Sequence, residues 1–173
     1  MSLAYISLGS NIEPERNIFA ALRLLSEHVR IVGVSAMYRT PPLERPEQDP
    51  YYNGVIAVKT DLPPLQLKKD VLAPIENQLG RRRSGDKYAP RTLDFDLLLY
   101  DDLVMHTPEL TLPHPDLLRR SFVASPLLEL APNLILPGWQ RPLVELSRSL
   151  DKTEMIRLDQ FTETLLETFL YER

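Results

Sequence analysis

The sequence predicts an α+β domain, with helices packed on an antiparallel sheet. Short alternating apolar runs near 4–8, 31–39, 53–60 and 92–100 read as strands, and two longer stretches with apolar residues three and four apart read as helices. Their order, β-α-β-β-α-β, is that of an antiparallel sheet with helices on one face.

Ala4-Tyr5-Ile6-Ser7-Leu8 alternates and stops at Gly9-Ser10-Asn11, a strand followed by a turn. A helix follows. Pro14 suits its first turn, Glu13 and Glu15 suit its positive end, and Ile18, Leu22, Leu25 and Val29 form its apolar stripe. Ile31 to Arg39 is a second strand, ended by Thr40-Pro41-Pro42, and residues 43–52 are too polar and proline-rich to be packed. Asn53 to Thr60 is a third strand. Leu62 to Leu79 is a second helix with its stripe at Leu65, Leu72, Ile75 and Leu79, irregular around Pro74, and Gly80 stops it. A basic loop leads to the strand Thr92 to Tyr100. Residues 103–106 and 109–112 offer short strands, and 116–130 a helix in which Pro126 must sit near an end or introduce a kink. Through residue 100 this is the split βαβ, or ferredoxin-like, arrangement with helices on one face. Residues 1–150 are expected to form the main domain. Residues 151–173 carry Ile156, Leu158, Phe161, Leu165, Phe169 and Leu170 as an amphipathic tail helix for core packing or self-association.

At 173 residues, with 43% hydrophobic and 25% charged side chains, the composition is that of a globular protein with one real core. No stretch of 18 apolar residues could span a membrane, and Met1 leads straight into the first strand without a signal-like apolar segment. There are no cysteines, which removes disulfides, thiolate zinc sites and thiol nucleophiles; a cytoplasmic monomer is the simplest expectation. Net charge is −4, yet residues 81–91 hold five basic side chains against Asp86 alone. A basic patch on an acidic protein suits a small polyanion better than a nucleic acid, unless it is merely a solvated loop.

The strongest local signal is Pro90-Arg91-Thr92-Leu93-Asp94-Phe95-Asp96-Leu97. Residues two apart on a strand share a face, so Asp94 and Asp96 point one way while Leu93, Phe95, Leu97 and Leu99 point into the core. Two neighbouring carboxylates either solubilise an exposed face or hold a cation, and Mg²⁺ takes such oxygen ligands together with phosphates. Flanking arginines would neutralise phosphate charge, and no P-loop sequence is present. His114, between Pro113 and Pro115, stands as either a structural or a functional histidine, whereas His28 and His106 read as structural. Tyr51 and Phe122 are either core aromatics or the two walls of a slot for a flat heterocycle, with Asn53 reading its edge.

Together these segments resemble the hydroxymethyldihydropterin pyrophosphokinase family from about Ala4 to Leu146. The shared motifs are Leu-Gly-Ser-Asn (8–11), Tyr-Arg-Thr-Pro-Pro-Leu (38–43), Tyr-Tyr-Asn (51–53), Glu76 with Gly80-Arg81-Arg82-Arg83, Pro-Arg-Thr-Leu-Asp-Phe-Asp (90–96), and Pro-His (113–114) with Arg120 and Phe122. The resemblance implies a ferredoxin-like fold, ATP as co-substrate and two Mg²⁺ ions on Asp94 and Asp96. It implies catalytic roles for these acids with Arg81, Arg83 and Arg91, and nucleotide contacts from Glu76, Arg81, Arg83, Tyr88, Arg91, Leu97, His114 and Arg120. It implies a pterin slot of Thr40, Pro41, Leu43, Tyr51, Asn53 and Phe122, and in-line transfer of diphosphate from ATP to the hydroxymethyl group, with AMP leaving. Lys87 and Tyr88 stand where the family often has arginine and tryptophan, and Phe95 stands where it usually has an aliphatic residue. With no second catalytic domain, a single activity is expected. Two rivals remain at this stage: a ferredoxin-like RNA-binding module, disfavoured by the charge and by the absence of an aromatic RNP-type strand, and a pterin enzyme without ATP, which would leave the acids and arginines idle.

Overall fold

The structure is a computed structural model that describes residues 1–82 and 84–171. Its main sheet contains β1 (Ser2–Ser10), β2 (Arg30–Val34), β3 (Tyr38–Thr40), β4 (Tyr51–Thr60), β5 (Asp94–Tyr100) and β10 (Ile156–Arg157). All pairings are antiparallel, in the order β10-β3-β4-β1-β5, with β2 also on β4. The expected second strand is thus two short ones, broken at Ser35-Ala36-Met37. Two small hairpins, β6 (Met105–His106) with β7 (Thr111–Leu112) and β8 (Ile135–Leu136) with β9 (Arg141–Pro142), lie outside this sheet.

One face is covered by α1 (Pro14–Ser26), by α2 (Pro64–Gln66) and α3 (Ala73–Gln78), and by α6 (Asp159–Leu166). The α1 stripe of Ile18, Leu22 and Leu25 is buried, and its continuation Val29 closes the same core against Ala4, Ile6 and Leu8. Between α2 and α3 the chain makes a π-helical stretch, Leu67–Leu72, in which the Ala73 N–H reaches back to the Lys68 carbonyl. Pro74 has no N–H for the Asp70 carbonyl, and widening the preceding turns is how this helix absorbs the defect.

The opposite face is not bare. It carries α4 (Ser121–Leu130) and α5 (Leu143–Leu146), whose Val123, Leu127 and Leu143 pack on Val55, Leu98 and Leu99. Helices therefore cover both faces of the sheet rather than one. Leu99 also departs from simple alternation: a bulge, where Tyr5 pairs Leu99 but Ile6 pairs Leu97, turns Leu99 to the α4 face. Pro126 is buried inside α4, which runs continuously past it.

The tail belongs to both the sheet and the core. β10 pairs with β3, Phe161 and Leu165 are buried, Phe161 meets Tyr52 at 6.1 Å between ring centres, and Phe169 meets Phe19 at 5.4 Å. Among the described residues, no helix is long and apolar enough to cross a membrane.

Candidate active site

Cross-strand register assembles the site. Asp94 pairs with Gly9, Gly9 with Asn53, and Asn53 with Tyr38; next to this row, Asp96 pairs with Ser7. Directly paired residues project from the same face of a sheet, so Asp94, Asp96 and Asn53 share the face that α4 covers. Gly9 has no side chain to stand between Asp94 and Asn53. A Cβ there would lie 2.7 Å from the Asn53 Oδ1, and its absence leaves the floor open. β1 runs to Ser10, so this glycine is part of a strand rather than the turn expected of it.

Above that floor lies a cavity of about 270 Å³ whose lining includes Thr40, Pro41, Leu43, Tyr51, Asn53 and Phe122. Tyr88, Arg91, Asp94, Asp96 and Arg120 line it as well. Asn53 is held by a 2.6 Å hydrogen bond from its Nδ2 to the Thr40 Oγ1. Asp96 also lines a second cleft, of about 230 Å³, with Leu97, Leu110, Thr111 and His114. Asp96 is thus the hinge between two adjoining pockets.

The acids are enclosed by cations. Arg81 Nη1 donates to Asp94 Oδ1 at 2.8 Å and also pairs with Glu76; Arg91 Nη1 donates to Asp94 Oδ2 at 2.7 Å. Burial and the charge of Asp96 push the Asp94 carboxyl up, against the pull of Arg91 and Arg81. Burial works the same way on Asp96, but His114, with Arg91 and Arg81, holds it below the usual carboxylate range. Burial opposes the His114 charge in turn, yet Asp96, Asp116 and Asp94 raise its pKa. His114 Nε2 lies 3.6 Å from Asp96, while its Nδ1 accepts the Asp116 N–H at 3.1 Å, which fixes the ring with its proton on Nε2. Burial disfavours the Arg81 charge, but Asp94 and Glu76 outweigh it.

Most of the predicted residues meet here. Glu76 and Arg81 line neither cleft: buried Glu76 accepts the Phe95 N–H at 3.0 Å and pairs with Arg81, so the two brace β5 from behind. Arg83 lies outside the described residues. Sequence reasoning passed over Asn11, which is 4% exposed and ties three segments together. Its Oδ1 accepts from Arg91 N at 2.8 Å, and its Nδ2 reaches Gln48 and the Asp49 carbonyl. Gln48 in turn donates to the Tyr88 carbonyl at 2.7 Å, and Arg45 pairs with Asp86 at 2.7 Å, so the two polar loops touch. The signal was the Leu-Gly-Ser-Asn segment itself, whose glycine and asparagine do more than end a strand.

Residues 5–132 match the family described as 7,8-dihydro-6-hydroxymethylpterin-pyrophosphokinase (HPPK). The 2-amino-4-hydroxy-6-hydroxymethyldihydropteridine pyrophosphokinase of Haemophilus influenzae is 40% identical over 162 residues, covering 92% of this chain and 99% of that one. The chain belongs to the HPPK family. The enzyme of the same name from Pseudomonas aeruginosa is 43% identical over 136 residues, 77% of this chain and 83% of its own. Among solved structures, HPPK-DHPS of Plasmodium falciparum with SDX-DHP superposes with a TM-score of 0.67 at 15% identity, a likeness of fold alone. It covers 100% of this chain and 45% of that one, so this chain spans less than half of the solved HPPK-DHPS protein. As an HPPK the chain is an ATP-dependent diphosphotransferase of folate biosynthesis, acting on hydroxymethyldihydropterin.

Proposed function

We propose that the two adjoining clefts divide the substrates, with the pterin in the cavity between Tyr51 and Phe122 and ATP across Asp96 toward Leu97 and His114. The observation that carries this is the position of Asp96, which lines both clefts beside Asp94. A reaction joining two substrates needs their reacting atoms within near-contact, and the shared wall is the one place where both can arrive.

Asp94 and Asp96 would hold Mg²⁺, two ions on the family precedent. The fit rests on the donors: hard carboxylate oxygens two residues apart on one face, with Asp94 pushed up partly by the charge of its neighbour. Bound there, Mg²⁺ neutralises phosphate charge and helps align the phosphates. Arg81 and Arg91 now spend their guanidinium groups on Asp94, and ATP phosphates offer them competing oxygens at the same place. Arg120, Tyr88 and, from the family pattern, Arg83 complete the nucleotide contacts. His114 presents its Nε2 proton toward Asp96 and the phosphate path. Thr40, Pro41, Leu43 and Asn53 shape the pterin slot, with the amide of Asn53 reading the ring edge while Thr40 holds it still. The site offers no evident general base, and positioning with charge neutralisation supplies most of the acceleration in such transfers. The tail turns Phe161 and Leu165 into its own core, which supports action as a monomer.

The deciding experiment mixes ATP, Mg²⁺, 6-hydroxymethyl-7,8-dihydropterin and the protein, then separates nucleotides by anion exchange. AMP should appear in step with the pterin diphosphate. Stoichiometric ADP, or no pterin-dependent turnover in folded protein, overturns the reading.

A further inference from the structure

The pterin slot rests on a short segment that two distant helices grip. Residues 35–37 interrupt the strand between β2 and β3, so their backbone groups cannot all be satisfied by the sheet ladder. Met37 obtains both partners from the tail: its N–H donates to the Thr162 Oγ1 at 2.9 Å, and its carbonyl accepts from Leu158 N at 2.8 Å. From the other face, α4 supplies Glu129, which accepts from Ala36 N at 3.2 Å and from the Tyr38 hydroxyl at 2.8 Å. Thr162 is 2% exposed, so its hydroxyl meets the Met37 N–H away from water.

The gripped segment leads straight to the slot. Three residues past Met37, Thr40 holds Asn53. The Met37 side chain lies directly under Gly54, where a Cβ would collide with it, and Gly54 and Asn53 both line the cavity. β3 is only three residues long, with β10 pairing on its outer edge. Besides this ladder, its N-terminal end is held through Ala36 and Met37.

We infer that Thr162, assisted by Glu129, is a positioning residue for pterin recognition: it fixes Met37, and through it the placement of Thr40 and Asn53. The inference rests on the slot assignment above. It also gives residues 151–171 a role in the reaction, though they lie beyond the matched residues 5–132.

Thr162→Val keeps the shape and removes the acceptor, whereas Thr162→Ser retains it. By calorimetric titration well below the melting temperature, Thr162→Val should weaken 6-hydroxymethyl-7,8-dihydropterin binding about fivefold to tenfold, roughly the loss expected for one hydrogen bond. Binding of a non-hydrolysable ATP analogue should not change, and Thr162→Ser should restore the pterin. Hydrogen exchange of the Met37 amide should quicken in the valine variant and recover in the serine one. Unchanged pterin affinity in folded Thr162→Val overturns the inference, as does an equal loss for both ligands. If that variant does not fold, the exposed Glu129→Ala carries the same test: selective loss of pterin affinity supports the grip, and wild-type affinity overturns it. Tyr51→Ala separates the two readings. If it weakens pterin binding while Thr162→Val does not, only the grip falls; if Tyr51→Ala has no effect either, the slot falls with it.

Discussion

The two edges of the sheet are built from different chemistry. At the β5 edge, Asp94, Asp96, Arg81, Arg91, Glu76 and His114 form a chain of charged contacts, with Glu76 buried and the others half-buried. At the β3–β10 edge the contacts that set the shape are mainly neutral hydrogen bonds: Asn53 to Thr40, Met37 to Thr162, Leu158 to Met37. Charge placed at one edge suits phosphate transfer, in which charge moves and must be matched. A neutral edge suits a flat heterocycle, which is recognised by shape and by donors held in fixed positions. The sheet between them lets each be built separately and still meet at Asp96.

The comparison is broken most directly at the charged edge. Asp96→Asn and Asp94→Asn should each lower turnover at saturating substrates at least about a hundredfold, a loss near 3 kcal/mol of transition-state stabilisation. Circular dichroism should show both folded. Near-wild-type turnover in either variant at saturating Mg²⁺ would take that acid out of the metal role and leave the charged edge as scaffolding.

At the neutral edge the expected effect is smaller and confined to one ligand. Tyr51→Ala and Phe122→Ala should weaken pterin binding about tenfold, since aromatic contact contributes roughly 0.5–1.5 kcal/mol beyond the area buried. The affinity for an ATP analogue should hold. A calorimetric titration alongside a thermal melt checks this. Loss of both ligands together with several degrees of stability would make these aromatics core residues, the alternative left open by the sequence.

The charged edge was more legible in the sequence than the neutral one, for a physical reason. Its residues are close in the chain: the acids alternate on one strand and most of the arginines lie in the loop before it, so period-two spacing and a charge count bring them together. The apolar stripe of α1 was legible on the same terms. The β5 bulge was not, because nothing in Leu97-Leu98-Leu99 marks which leucine is the extra one, and Leu99 consequently changes face. Helices on the second face of the sheet were missed because the β4 pattern, buried from Gly54 to Val58, does not separate a strand covered on one side from one covered on both. The grip on Met37 joins residues 125 positions apart, and no local pattern in either stretch points to the other. Glu129 and Asn11 were hidden for a related reason: each is an ordinary polar residue whose importance lies in partners distant along the chain.

The finest test of the neutral edge is its response to alkali. The Tyr38 hydroxyl donates to Glu129, and its pKa is pushed up to about 12 from the ordinary 10.0, first by burial and then by the hydrogen bond and charge of Glu129, against the pull of Arg157. A native pKa above the unfolded one means that the folded protein holds this proton more tightly. The stability it contributes is therefore complete below pH about 10 and is lost as pH rises through about 12. Tyr38→Phe removes the hydroxyl and with it that dependence. Burial also pushes Tyr5 and Tyr51 up, so tyrosinate absorbance should show a late-titrating group of tyrosines that Tyr38→Phe reduces by one. Glu129→Gln, which keeps an acceptor but removes the charge, should bring the same tyrosine down only part of the way, because burial is the larger cause. A Tyr38 that titrates near 10 in the native protein would mean that its hydroxyl is free of Glu129. One of the two Glu129 contacts with residues 35–38 would then be absent, and the hold on that edge would rest more heavily on Thr162 and Leu158.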